Sequence, residues 1–338
     1  MKTKSIFLGL ILSVCGNAYA QQMPYSSQYI LNPFILNPAV AGIENYWDTK
    51  ISSRAQWAGI EGAPVTTYVT LHGPLKRSPW PRQTATSFNT RNNPIGKQAW
   101  RKFIASPSYA GMGLSIINEK VGALNWLSIS GTFAYHLRVT KRSKISLGLS
   151  PGVRSVTLNS NKLDFNNPTV DPAVYGRGNL NQLKPDITAG VWFYSARFFA
   201  GIAARDLFTK PITFGNGTDY NQGQSGQFII SMGYKVPLND KITFLPSTVI
   251  NYQSSMPVGV DLNMKFQYTD IIWAGISYQH PRQYTGMIGF NINSVFNLGY
   301  SYGGGQSGLN YYSSGTHEFV LGILLGNFYE EVNTNRFW

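Results

Sequence analysis

The amino-acid sequence predicts an all-β fold, namely a closed, transmembrane antiparallel β-barrel of outer-membrane type with about 14 strands. Three observations predict it: an export signal opens the chain, long stretches alternate polar and apolar residues, and the composition is unusual. Charged residues make up only 13% of the chain and aromatic residues make up 14%. Strands that cross a bilayer at a tilt need about ten residues with one apolar face, between girdles of aromatic residues.

Residues 1–20 are predicted to be a secretory signal peptide. Two lysines precede an apolar stretch, and Ala18 and Ala20 supply the small residues that a cleavage site needs. A lipoprotein signal ending at Cys15 is the alternative, but Val14 is large for the position before a lipid-modified cysteine. Cleavage after Ala20 would leave a mature chain without cysteine, and therefore without disulfides or cysteine metal sites.

Composition also restricts the function. After the signal, no segment approaches the roughly 20 apolar residues of a membrane helix, so that a helical membrane protein is excluded. The net charge is +13 at pH 7, but an exported protein rarely meets nucleic acid, and no nucleic-acid partner is expected. The basic residues either lie in loops and the barrel interior or serve an acidic partner. No metal cluster, phosphate loop or nucleotide signature is found, so no cofactor is expected.

The barrel strands are predicted from alternation with a period of two. Residues 127–139 show it best, since their odd positions are apolar apart from a glycine and their even positions are mostly polar. We assign the barrel to residues 48–338 and predict fourteen strands with boundaries good to about two to four residues. They lie near 48–60, 64–75, 108–118, 125–140, 144–158, 185–195, 198–208, 226–238, 241–253, 257–269, 271–280, 284–293, 295–304 and 315–325.

The connections predict the orientation. Those after even-numbered strands are mostly tight, whereas those after odd-numbered strands are mostly longer, as at 159–184, 209–225 and 305–314. Outer-membrane barrels have short periplasmic turns and long external loops. Both termini are therefore expected in the periplasm.

One connection after an even-numbered strand breaks this rule, because residues 76–107 are long. This stretch contains four prolines and no acidic residue. It is either a disordered insertion or a basic arm that docks a periplasmic partner. The basic residues singled out for docking are Arg82, Arg91, Lys97, Arg101 and Lys102.

Residues 21–47 precede the first strand and do not alternate. Two Asn-Pro pairs, Asn32-Pro33 and Asn37-Pro38, fix extended and turn geometry twice within a few residues. The segment is therefore conformationally specified. A plug inside the barrel, a periplasmic latch and a tie at the barrel base are the three physical options.

This segment strongly resembles the signature of the PorP/SprF family of Bacteroidetes outer-membrane proteins, which are associated with type IX secretion and gliding motility. The matching residues are Ser27, Gln28, Tyr29, Asn32, Pro33, Leu36, Asn37, Pro38, Ala39, Ala41 and Gly42. Further blocks that resemble the family are Arg54, Gln56, Trp57, Gly62 to Pro64, His72 to Leu75, Ile116 to Gly122 and His317-Glu318. The basic 76–107 stretch looks longer than the family's usual connection.

The resemblance implies a non-enzymatic barrel of 14 strands. Members act with the type IX system to export, or hold at the cell surface, large adhesins with a C-terminal sorting domain. The implied partners are membrane lipid, such a cargo adhesin, and the type IX translocon or periplasmic components. The residues expected to bind partners are Gln28, Tyr29, Asn32, Pro33, Asn37 and Pro38, the basic residues of 76–107 named above, and Tyr311 and Tyr312 in a long loop.

Two other functions compete with this hypothesis. A general diffusion porin or small-solute channel would use charges of both signs on the inward rows, which either line a water channel or pair and fill the lumen. A hydrolase would need a histidine beside a serine. His136 shares a face with Ser128 and Ser130, but along a strand these lie about 20 Å or more away at ~3.3 Å per residue, so no catalytic residue is expected.

Overall fold

The computed structural model describes most of the chain from residue 28 to residue 327. The described ranges are 28–76, 84–85, 105–159, 179–208, 226–239, 241–254, 256–269, 271–280, 283–305 and 313–327. No helix within these ranges is long and apolar enough to cross a membrane.

Within the described ranges, fourteen antiparallel strands form one closed sheet. They are β1 Trp47–Ala55, β2 Val65–Pro74, β3 Tyr109–Val121, β4 Leu124–Arg138, β5 Ser143–Asn159, β6 Asn179–Ser195, β7 Phe198–Arg205, β8 Gln227–Tyr234, β9 Ile242–Gln253, β10 Gly259–Tyr268, β11 Ile272–His280, β12 Gln283–Asn291, β13 Phe296–Gly305 and β14 Thr316–Leu325. A two-residue strand, Val236–Pro237, continues β8 along β9. The fold class predicted from alternation is therefore confirmed.

The first and last strands close the barrel. Consecutive strands pair with one another, and β1 pairs with β14 in a register that runs from Trp47 opposite Leu325 to Ala55 opposite His317. Closure removes the open strand edges that lipid could not satisfy with hydrogen bonds. Because the number of strands is even, the chain enters and leaves the barrel at the same rim.

The two faces of each strand differ as the alternation predicts. On β4, Phe133 and Tyr135 point outward and are 53% and 44% exposed, whereas Ala134 and His136 point inward and are fully buried. An apolar outer face suits contact with lipid, and a polar inner face must find its partners inside the barrel.

Some predicted boundaries were wrong. β6 begins at Asn179, so the predicted loop 159–184 is too long, because β5 and β6 stay paired as far as Asn159 and Asn179. The Asn-rich sequence there resembles a loop in composition although it is a strand. β1 ends at Ala55 and not at residue 60 as predicted. The reason is that the chain turns after Ala55, where Trp57 has a positive φ of 50°.

Candidate functional site

Residues 28–46, here called the lumen segment, lie inside the barrel. Two short 3-10 helices, Pro33–Ile35 and Pro38–Val40, each begin with a proline that follows an asparagine. The segment is buried along most of its length, from Gln28 at 0% exposure to Tyr46 at 1%. Its hydrogen bonds reach strands β2 to β7, β10, β13 and β14, so it touches most of the barrel wall.

Asn37 organises the middle of the lumen segment. Its side-chain oxygen accepts a hydrogen bond of 2.9 Å from the Ala39 backbone and caps the second 3-10 helix, whose first residue is Pro38. Its Nδ2 donates to the backbone carbonyls of Val191 on β6, at 3.0 Å, and Ile202 on β7, at 3.1 Å. One side chain thereby fixes the local turn and ties it to two strands.

Inward-facing glycines make room for this contact. A Cβ atom at Gly190 would collide with the Asn37 side chain, and one at Gly148 would collide with the backbone of Pro38 and Ala39. By contrast, a Cβ atom at Gly131 would meet nothing within 4 Å. The barrel wall is therefore recessed where the lumen segment approaches it.

Gln28 ties the start of the lumen segment to the opposite wall. Its Nε2 donates to the backbone carbonyl of Glu318 on β14, at 2.9 Å, and to the hydroxyl of Ser301 on β13, at 3.3 Å. Gln28 and Glu318 are both fully buried. The segment is thus anchored next to the strand that closes the barrel.

Tyr29 and Asn32 extend this anchorage. The Tyr29 hydroxyl lies 3.5 Å from the carboxylate of Asp261 on β10. Burial, followed by the nearby Asp261 charge, raises the pKa of Tyr29 well above its usual value, so the phenol stays protonated at neutral pH. Asn32 donates to the Thr70 hydroxyl on β2 at 2.8 Å.

A hydrogen-bond network around His136 contacts the C-terminal part of the lumen segment. His136 Nε2 lies 2.9 Å from the backbone carbonyl of Ala41, and its Nδ1 lies 2.8 Å from the Tyr194 hydroxyl. Tyr109 stacks on the His136 ring at 4.4 Å, and its hydroxyl donates to the Ile43 carbonyl at 3.2 Å. These side chains come from β3, β4 and β6, so three strands converge on one stretch of backbone.

Gly42 turns the chain toward β1. Its φ of +75° lies in the left-handed region, which strains other residues, and a Cβ atom there would approach Gly111 and Gly73 within 3 Å. Its backbone N–H donates to Nδ1 of His72 at 3.3 Å. The final glycine of the Asn-Pro motif is therefore required by geometry.

The described parts of the basic 76–107 insertion pack at the base of the barrel. Thr84 donates to the Glu44 carboxylate at 2.9 Å, and the Ala105 backbone donates to the Lys141 carbonyl at 2.9 Å. The insertion thus contacts both the lumen segment and the tight turn between β4 and β5.

Two cations of the barrel interior, Arg154 and Lys265, have identified partners. Arg154 forms ion pairs of 2.7 Å with Asp186 and with Asp206. Lys265 lies 4.8 Å from the centre of the Trp273 ring. Within the described ranges, no group of three His, Cys, Asp or Glu residues could hold a metal ion.

A cavity lined by apolar and polar side chains lies on the other side of the lumen segment, toward the rim with the longer loops. Phe34, Ile35 and Pro38 form its floor, and its walls come from β1 to β8 and β14. Arg205 donates to the Ile35 carbonyl and so holds floor and wall together. Within the described ranges, the lumen segment thus separates this cavity from the part of the interior that the segment itself fills.

The lumen brings together the predicted partner-binding residues of the N-terminal motif. Gln28, Tyr29, Asn32, Asn37 and Pro38 are buried, and Pro33 is half-buried at the start of the first 3-10 helix. The remaining predicted residues lie outside the described ranges. They are Arg82, Arg91, Lys97, Arg101, Lys102, Tyr311 and Tyr312.

The sequence did not predict which barrel residues contact the lumen segment, among them His136, Ser146 and Gly190. A signal was present, because glycine recurs on the inward rows of strands whose other inward residues are larger. Glycine in a strand interior often marks a place where another backbone approaches closely.

A closed barrel of 14 antiparallel strands, with an apolar outer band and a segment of its own chain in the lumen, defines an integral outer-membrane protein. Residues 18–323 match the family of type IX secretion system membrane proteins PorP/SprF. The chain belongs to this family, as the resemblance of its Asn-Pro motif indicated.

A comparison with curated proteins gave no match. Solved outer-membrane barrels are similar in fold. The CymD monoaromatic hydrocarbon channel is 11% identical, with a TM-score of 0.47 over 90% of this chain and 94% of that one. Omp33 of Acinetobacter baumannii is 8% identical, with a TM-score of 0.43 over 84% and 99%. The toluene transporter TodX of Pseudomonas putida is 9% identical, with a TM-score of 0.41 over 89% and 93%.

Proposed function

We propose that this barrel helps to export, or anchors at the cell surface, a large adhesin with a C-terminal sorting domain. It would do so together with the type IX translocon or periplasmic components, and it would act by binding and not by catalysis. An N-terminal signal peptide over residues 1–20 would direct its export, and the barrel would then reside in the outer membrane.

The occupied lumen is the observation that supports this proposal. Residues 28–46 cross the interior and make hydrogen bonds to strands on opposite walls, such as Asn37 to Val191 and Gln28 to Glu318. A wide water channel would need that space free. A barrel whose interior is filled by part of its own chain is better suited to bind a partner at its rims than to conduct solutes.

The rims offer two places for partners. The long loops after odd-numbered strands face the outside in the predicted orientation and would meet the cargo there. Thr84 and Ala105 of the basic 76–107 insertion contact Glu44 and Lys141. In the predicted orientation this rim is periplasmic, and the insertion would meet a periplasmic component there.

A detergent pull-down of the tagged full-length protein from outer membranes tests the proposal. Recovery of a large adhesin with a C-terminal sorting domain, or of the translocon, is the expected result by mass spectrometry. A tagged unrelated outer-membrane barrel from the same cells is the control. Recovery of the barrel alone, under conditions that preserve the translocon, would contradict the proposal.

A small-solute channel is the second candidate. The cavity above the lumen segment favours it, because its walls carry charged and hydroxyl side chains from several strands. Planar-bilayer conductance discriminates between the two. Steady single-channel conductance of the intact chain would favour the channel, and its absence would favour the binding role.

A further inference from the structure

The cavity between the lumen segment and the rim with longer loops has a volume of ≈ 150 Å³. The apolar side chains of Phe34, Ile35 and Pro38 form its floor. This volume is below the roughly 300–1,000 Å³ of typical ligand pockets, so the cavity would admit one small unit and not a larger molecule.

The charged residues that line the cavity balance one another. Three arginines face three acidic residues, and Arg154 is paired with Asp186 at 2.7 Å. Glu119 lies within electrostatic range of Arg54 and Arg154. A ligand with a net charge would therefore disturb existing pairs, whereas a neutral polar ligand would not.

The cavity wall also contains unpaired donors and acceptors. Oε1 of Glu119 and Oδ1 of Asp186 are buried acceptors without a hydrogen bond in the described ranges, and Nε1 of Trp126 and Nε2 of Gln227 are buried donors in the same situation. All four atoms are almost inaccessible, so a ligand would reach them only when their side chains turn toward the cavity. Leaving a buried polar group without a partner is unfavourable. A hydroxyl group both donates and accepts, so hydroxyl-bearing ligands can satisfy both kinds of atom.

The remaining residues of the cavity wall also combine apolar surface with groups that form hydrogen bonds. The indole of Trp126 provides a flat apolar face beside its N–H donor. Hydroxyl side chains surround it along β2 to β5. They are Thr66, Ser115, Ser128, Ser130, Thr132 and Ser150.

We propose that this cavity binds a neutral sugar unit, either free or at the end of a glycan. The apolar floor and Trp126 would pack against the C–H faces of the sugar ring. Glu119, Asp186 and Gln227 would exchange hydrogen bonds with its hydroxyl groups. This site is separate from the rims that the proposed cargo function uses.

The test is saturation-transfer NMR on the full-length protein in lauryldimethylamine oxide, because maltoside detergents carry sugar headgroups. The probes are free glucose, galactose and N-acetylglucosamine, with maltotriose to represent a glycan end. Magnetisation transfer from the protein to at least one of them is expected. Transfer to maltotriose but to no free sugar would assign the site to glycan ends.

Two conservative variants keep the test specific. Glu119→Gln and Trp126→Phe should each weaken binding about tenfold or more, which corresponds to ~1.4 kcal/mol. Ile129→Ala, on the outward face of β4, is the matched control and should bind as the unmodified protein does. Heat-modifiability on gels reports whether each variant remains folded.

Three results would overturn the inference. They are no transfer to any of these sugars, equal transfer in the cavity variants and the unmodified protein, or binding of citrate or lysine in place of sugars. Any of them, combined with normal recovery of the adhesin in the pull-down, would leave the proposed function standing.

Discussion

The side chain of Gln28 donates a hydrogen bond of 2.9 Å to the backbone carbonyl of Glu318, which lies 290 positions further along the chain. The two residues are fully buried and join the start of the lumen segment to the strand that closes the barrel. The lumen segment can reach this position only when β14 has a fixed place. The position of the lumen segment and the pairing of β1 with β14 therefore depend on each other.

Gln28→Ala should destabilise the folded barrel by about 1–2 kcal/mol, because the variant loses hydrogen bonds to Glu318 and Ser301. Gln28→Glu should be worse, because it places a carboxylate against a backbone carbonyl in a buried site. The midpoint of thermal unfolding on semi-native gels measures both effects. A Glu variant as stable as the unmodified protein would contradict the described contact.

Asn37→Ala should destabilise the barrel by roughly 2–4 kcal/mol, because one side chain makes the helix cap and two bonds to strand carbonyls. Asn118→Ala is the control, since the half-buried Asn118 side chain makes no hydrogen bond in the described part of the chain. Urea unfolding followed by tryptophan fluorescence gives the free energies. Equal losses in the two variants would show that Asn37 has no special role.

Combined replacement of Asn37 and Pro38 by alanine should impair surface display of the cargo while the barrel remains heat-modifiable. The reason is that the turn would lose both its cap and the fixed φ of its first residue. Antibody labelling of the adhesin on intact cells measures display. Normal display by this variant would mean that the lumen segment has only a structural role.

Gly148→Ala should displace the lumen segment, because the added methyl group collides with the backbone of Pro38 and Ala39. Overpacking of this kind typically costs about 1–3 kcal/mol. Gly131→Ala is the matched control, since a Cβ atom there has open space around it. Thermal midpoints of the two variants should differ by the corresponding amount, and equal midpoints would argue against close contact at Gly148.

Replacement of residues 28–43 by a Gly-Ser linker of the same length should raise the conductance of the barrel in planar bilayers. The contacts of Asn37, Asn32 and Tyr29 with opposite walls would be lost, which would free the interior. The intact chain should conduct far less. Equal conductance of the two proteins would indicate that the lumen segment does not obstruct the barrel.

Much of the fold could be predicted from the sequence, because the alternation of polar and apolar residues shows both where the strands lie and which side chains point inward. The outward Phe133 and the inward His136 follow directly from it. The Asn-Pro motif could be recognised as a specified segment, yet alternation contains no information on what an inward side chain contacts. The link from His136 to the Ala41 carbonyl depends on the barrel being closed, and only the structure shows it.

The boundary of β6 shows a second limit. Residues 179–184 are mostly polar, and their two leucines, Leu180 and Leu183, stand three positions apart, a spacing that does not fit a period of two, so alternation does not distinguish this stretch from a loop. Their pairing with β5 makes them a strand all the same, since the hairpin register continues from Ser143 opposite Ser195 to Asn159 opposite Asn179. Strand residues outside the lipid-facing band need not alternate between polar and apolar, so the sequence pattern does not reveal that they are paired.

The position of the lumen segment also affects the seam of the barrel. The segment bonds to Thr70 on β2 and to Glu318 on β14, and so lies across the inside of the junction between β1 and β14. Sideways opening of the wall at this junction would require these internal bonds to break along with the strand pairing. The lumen segment therefore opposes separation of β1 from β14 from the inside of the barrel.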